Sequence, residues 1–155
     1  MNRIFGIFSG LLLVAVQVTS LMAQPLNQKN GFTRQDSLRG SLNPERTGWD
    51  VLYYRITVTP DYTAQSIKGS TQIRFKTLNP FRTMQIDLQE PLQIESIRWG
   101  RKNLQWTREG NAFHVQFPAM LKAGVTDSIL ITYGGKPRVA KRPPWDGGWI
   151  FSKDK

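Results

Sequence analysis

One histidine and no cysteine narrow the chemistry this chain can perform with its own side chains. His114 lies in Phe113-His114-Val115-Gln116-Phe117, where the phenylalanines and the valine share one parity and the histidine takes the other. Strand alternation therefore turns His114 and Gln116 to the solvated face. A histidine there acts as a general base only if the fold gathers a nucleophile and an orienting acid around it, and no local pattern supplies them. Catalytic zinc sites use three protein ligands, usually with more than one histidine among them, so these residues are not expected to build one alone. Lack of cysteine removes thiol nucleophiles, thiolate metal ligands and disulfides. The sequence contains no H-E-x-x-H, no G-x-S-x-G and no phosphate-binding glycine loop; Gly134-Gly135 and Gly147-Gly148 have turn chemistry.

Carboxylates and tryptophans complete the inventory. Glycoside hydrolysis needs only two acids across the scissile bond. Glu90 and Glu95 flank a break at Pro91, and Asp146 sits between Trp145 and Trp149; folding could bring any two acids together, so spacing alone is a very weak signal. Trp145 and Trp149 suggest a stacking platform for sugar or peptide. They could equally seal a loop against the core or an adjoining domain, and the adjacent Ile150-Phe151, which wants the same burial, favours sealing.

The elements that must hold these residues read as strands. From Val51 to Pro60, Leu52, Tyr54, Ile56 and Val58 alternate with Arg55, Thr57 and Thr59. After a turn signal at Pro60-Asp61-Tyr62, Ile67, Thr71, Ile73 and Phe75 face inward, opposite Gln72, Arg74 and Lys76. Period-two alternation on both sides of a short polar turn predicts an antiparallel hairpin. Met84, Ile86 and Leu88 then alternate with Gln85, Asp87 and Gln89. Leu92 and Ile94 share one parity while Ile97 and Trp99 share the other, which predicts a bulge between them. Leu104 and Trp106 form a short strand, and Glu109-Gly110-Asn111 turns into Phe113, Val115 and Phe117. Ala119 to Gly124 reads as helical or irregular, and Asp127 to Tyr133 as a continuously apolar, central strand. No segment sustains a helical period. The fold class is all-β, an antiparallel, saddle-shaped β-sandwich.

The front of the chain has a different character. Met1 to Ala23 carries Arg3, an apolar run and a small-residue exit, the pattern of a secretory signal peptide, and the run is too short for a stable membrane span. Export to the periplasm or the exterior is expected. Residues 24–39 are polar, without periodicity, and read as a flexible lead-in. Residues 40–155 form the β domain. The net charge of the whole chain, +10, comes from singly scattered cations plus Lys136, Arg138, Lys141 and Arg142, a solvated pattern that does not call for nucleic acid. At the other end, Trp149-Ile150-Phe151 begins an element that the chain does not finish, so the domain is expected to be incomplete at its C-terminus.

Several stretches in order carry a family resemblance: Gly40-Ser41-Leu42-Asn43-Pro44-Glu45-Arg46, Trp49-Asp50-Val51-Leu52-Tyr53-Tyr54, Ile67-Lys68-Gly69, Met84 to Leu88, Tyr133 to Pro137, and Pro143 to Gly148. Over about Asp36 to Lys155 the chain resembles the opening of the alanyl-aminopeptidase-like zinc metallopeptidases (gluzincins), the secreted bacterial members above all. The resemblance implies an N-terminal β domain that packs on a separate catalytic domain of the same polypeptide. That missing domain would carry zinc, H-E-x-x-H and the peptide-binding segment, and would release N-terminal residues from peptides. No catalytic, substrate-binding or metal residue and no cofactor is implied for this fragment itself. The competing expectation is a standalone secreted β-sandwich module that binds peptide or carbohydrate.

Overall fold

Alternating β-branched and aromatic residues, punctuated by Gly, Pro and Asp, produce eight strands among residues 31–153, the part of the chain that the computed structural model describes. They are β1 (Trp49–Asp61), β2 (Ser66–Thr77), β3 (Phe81–Asp87), β4 (Gln93–Trp99), β5 (Lys102–Asn103), β6 (Gln105–Glu109), β7 (Ala112–Leu121) and β8 (Thr126–Gly135). The signal-like segment 1–23 and residues 24–30 of the lead-in lie outside the described residues.

All pairings between these strands are antiparallel. One sheet has the order β1-β2-β8-β4-β5, the other β3-β7-β6. The all-β, antiparallel sandwich architecture is as the alternation predicts. β8 is central, as its apolar run requires, and the expected irregularity in β4 is a register shift between Ile94 and Ser96.

Between the sheets, Phe117 is the hub of an aromatic cluster. Its ring centroid lies 5.5 Å from Trp99, 5.7 Å from Phe81 and 6.2 Å from Phe75, at edge-on angles that suit the ring quadrupoles. Ile73, Met84, Ile97, Phe113, Val115 and Ile129 close the core around it. With no disulfide, apolar burial holds this unit together; truncating a ring buried like Phe117 costs roughly 3–5 kcal/mol. Arg108 of β6 adds a tie. Its guanidinium lies 4.7 Å from the Phe113 ring and donates to the carbonyl of Leu92, before β4, at 2.9 Å.

Four expectations need correction. Arg34–Gly40 is a helix, α1, not a lead-in without structure: Thr33 and Asp36 form a reciprocal capping box and Leu38 is buried. A second short helix, α2 (Pro44–Thr47), starts at the Asn43 cap. Ala119 to Leu121 continues β7 instead of turning irregular. The segment after Gly148 makes one isolated bridge, Val139 to Trp149, and no strand follows it among the described residues.

The fourth correction concerns β1. Tyr54 and Ile56 pair with Ile73 and Thr71, and Val58 with Gly69, so all three lie on the core side of their sheet, as the alternation says. Yet Tyr54, Ile56 and Val58 remain 49%, 63% and 36% exposed, and Leu52, at the Val51/Tyr53 register shift, is exposed as well. The three-stranded sheet covers only part of its partner.

Candidate functional site

Two places gather polar or aromatic groups: the segment α1–α2 where it crosses the three-stranded sheet, and the loop 138–149.

α1 and α2 cover the face of β3 and β7 that points away from the core, and this overturns the reading of His114. Its side chain is 19% exposed, with Nδ1 at 2.5 Å from Oε2 of Glu45 on α2, and it is not a free surface residue. Gln85, on the same outward parity, is buried. Its amide donates to the carbonyl of Leu38 at 2.9 Å, and its Oε1 accepts from Nδ2 of Asn43 at 2.9 Å. Asn43 in turn caps α2 by accepting from the Arg46 backbone at 3.0 Å, and Arg46 pairs with Asp87. Trp49 donates its indole N–H to the Glu45 carbonyl at 2.8 Å. Each group is spent on holding α1–α2 to the sheet.

The histidine–carboxylate pair has half of the triad logic. Ser37 and Ser41 line the same recess as His114 and Glu45, but neither hydroxyl hydrogen-bonds to the imidazole, and Ser37 Oγ donates to the Thr33 carbonyl at 3.3 Å. No aligned nucleophile accompanies the pair, and what its geometry shows is a clasp between α2 and β7. Glu90 approaches Arg108 at 4.0 Å while Glu95 lies beside Gly134 of β8, so the two acids face different neighbours. Among the described residues no three His, Cys, Asp or Glu side chains are grouped to hold a metal ion. The donors gathered around His114 and Glu45 fall short of the three protein ligands that zinc sites use.

Asp146 organises the loop. Its carboxylate accepts from the backbone N–H of Lys141 at 2.6 Å and of Arg142 at 3.1 Å, and the Lys141 bond leads in holding its pKa below the ordinary value. The loop's two ends are joined by Trp149 N–H to the Arg138 carbonyl at 2.8 Å and Ala140 N–H to the Trp149 carbonyl at 3.0 Å. Gly148 is required there: its φ is 130°, and a Cβ would fall 2.7 Å from the Ala140 nitrogen. The two tryptophans do not form a shared platform. Trp149 stacks on Phe151, with centroids 6.1 Å apart and planes 18° from parallel, whereas Trp145 stands 87% exposed and is not packed on the core of this unit.

A cavity of about 510 Å³ opens between the sheets where the three-stranded sheet ends. Tyr54, Ile73, Ile131, Tyr133, Ile86 and Leu88 line it, with Arg46 and Asp87 at its polar side. The lining can accept an apolar group; it presents no reactive one.

No protein-family model matches the chain, and no curated protein matches it in sequence. Solved structures do share the fold. A two-domain M1 zinc metallopeptidase variant bound to L-tryptophan aligns with a TM-score of 0.59 and 21% identity, over 70% of this chain and 26% of that one. The M1 zinc metallopeptidase from Deinococcus radiodurans aligns at 0.59 and 20%, over 70% and 25%. A variant of that enzyme bound to a Tyr-Ser-Ala substrate gives 0.57 and 20%, over 68% and 25%. The chain thus spans about a quarter of the length of these structures, and what it shares with them is a fold.

Proposed function

We propose that this chain is the non-catalytic, N-terminal β domain of a zinc-dependent metallo-aminopeptidase. In this reading residues 1–23 direct export, and a catalytic domain in the same polypeptide holds the zinc and removes N-terminal residues from peptides. The observation that carries it is the fold match to part of M1 zinc metallopeptidases at TM-scores near 0.59, together with the ordered motifs that suggest the same family. The exposed side chains around the C-terminal bridge support it too. Val139, Trp145 and Ile150 are 48%, 87% and 60% exposed, an apolar strip suited to packing on a neighbouring domain. The domain's contribution is then a wall and an interface, with no proton moved or bond broken by its own groups.

Two measurements test this. The purified chain, incubated with zinc and assayed for bound metal and for hydrolysis of an aminoacyl reporter, is expected to hold no stoichiometric zinc and to turn nothing over. The gene beyond the Lys155 codon is expected to continue in frame into an H-E-x-x-H motif. Stoichiometric zinc with turnover, or a stop codon at that point, defeats the proposal.

A further inference from the structure

The route of the chain after β8 leads to β1. Gly135, the last residue of β8, pairs with Ile67 of β2, and Ile67 pairs with Pro60, so β8 and β1 finish at the same end of the sheet. Residues 136–151 carry the backbone from one to the other. Pro137 is buried on the way, the bridge between Val139 and Trp149 closes the intervening loop, and Phe151 reaches Tyr62, the residue after β1. The two rings meet edge to face, with centroids 6.3 Å apart. A backbone that turns back along β1 from this point runs antiparallel to it, the orientation of every pair among the described strands.

β1 suits such a neighbour. Tyr54 to Thr59 pair with β2 without a register shift, so alternate residues aim their backbone donors and acceptors away from β2 in a regular row. Edges that stay open in natural sheets are blunted by a bulge, a proline or an inward-pointing charge. This run contains none, since Arg55 lies on the outer face opposite Gln72. On the core side Tyr54, Ile56 and Val58 are exposed, and Tyr54 borders the cavity of about 510 Å³. We infer that the residues following Phe151 return along β1 as a sixth strand of the larger sheet, with apolar side chains covering Ile56 and Val58 and reaching the cavity beside Tyr54. This rests on the peptidase reading above, in which the polypeptide continues past Lys155. Tethering at Phe151 favours this occupant over a separate molecule, because it holds the segment near the edge at an effective concentration on the order of millimolar. Ser152 and Lys153 pair with no strand, so the ladder begins beyond them, after a connection of about 2–6 residues.

The test compares the 155-residue chain with the longer product of the gene, by hydrogen exchange at residues 54–59. Alternate amides of this run are expected to exchange freely in the shorter protein and at least about a hundredfold more slowly in the longer one. In the longer protein Tyr54→Cys, Ile56→Cys and Val58→Cys, each scanned against single cysteines after Lys155, are expected to form disulfides with the first strand of the added sequence. As the β1 cysteine moves from position 58 to 54, its partner should move away from Lys155. Ile56→Lys is expected to abolish the slowed exchange in the longer protein and to leave the stability of the shorter one unchanged. A longer product whose β1 amides still exchange freely overturns the inference and leaves the peptidase reading intact, whereas a stop codon after Lys155 defeats both. Protection that arises only as the protein self-associates also overturns it, as do disulfides that run in the opposite order or fall in the zinc-binding domain.

Discussion

The ring of Tyr133 on β8 occupies the space that a side chain at position 69 of β2 would fill. A Cβ built on Gly69 falls 2.5 Å from Cε2 and Cζ of that ring, while the Tyr133 hydroxyl lies 3.4 Å from Oγ1 of Thr71. A glycine that weakens its strand is thereby covered by a cross-strand aromatic. Gly69→Val is expected to push the ring off β2 and to destabilise the domain by about 1–3 kcal/mol. Urea denaturation measures this, and no loss of stability would mean that the ring relocates without cost.

Gln85 should be worth more than an outward-facing glutamine usually is. Gln85→Leu strands the Leu38 carbonyl and the Asn43 amide, for an expected loss of about 1–3 kcal/mol. Because these bonds hold α1–α2 to the sheet, limited proteolysis should also cut first between residues 38 and 47. Unchanged stability together with unchanged cleavage would show that the segment is held by other contacts.

Thr77 predicts the opposite sign. It is fully buried, its backbone N–H and carbonyl bond to Val125 and Gly124, and its hydroxyl has no partner. Thr77→Val keeps the shape and removes an unsatisfied group, so the unfolding free energy is expected to hold or rise, by up to about 1 kcal/mol. A fall would mean that the hydroxyl is solvated after all.

The loop 138–149 carries a pH dependence. Hydrogen bonding holds the Asp146 carboxyl below its ordinary value of 3.8, so its contribution to loop closure is present above that value and is lost as pH falls through the depressed one. In an NMR titration the Lys141 and Arg142 amides are expected to shift with a midpoint below 3.8. Asp146→Asn should abolish that step, and Gly148→Ala should open the loop at every pH. A midpoint at or above the ordinary value contradicts this account.

Much of the fold was legible because burial on one face and solvent on the other imprint a two-residue period. β2, β7 and the central position of β8 follow from it directly. The failures have separate physical causes. Parity says which residues of β1 share a face, but not whether another layer covers that face, and Tyr54, Ile56 and Val58 show the difference. Gln85 and His114 were misjudged because two helices of seven and four residues cover the outward face, too short to show a period. Their capping residues were nonetheless present: Thr33 three positions before Asp36, and Asn43 directly before Pro44. For Trp145 only half of the expectation is decided: its exposure of 87% rules out sealing against the core of this unit, because a tryptophan's appetite for burial does not identify what buries it.

The position of β8 also governs how the fold can be acquired. This strand, far along the sequence, lies between β2 and β4, and its Ile131 pairs with both Thr71 and Ile97. Until it emerges, the β1–β2 hairpin and β4 have no common neighbour, so a nascent chain cannot assemble the larger sheet piece by piece. Such long-range closure slows folding and makes it late and cooperative. Under the export proposed for this chain, that delay would leave time to cross a membrane before folding.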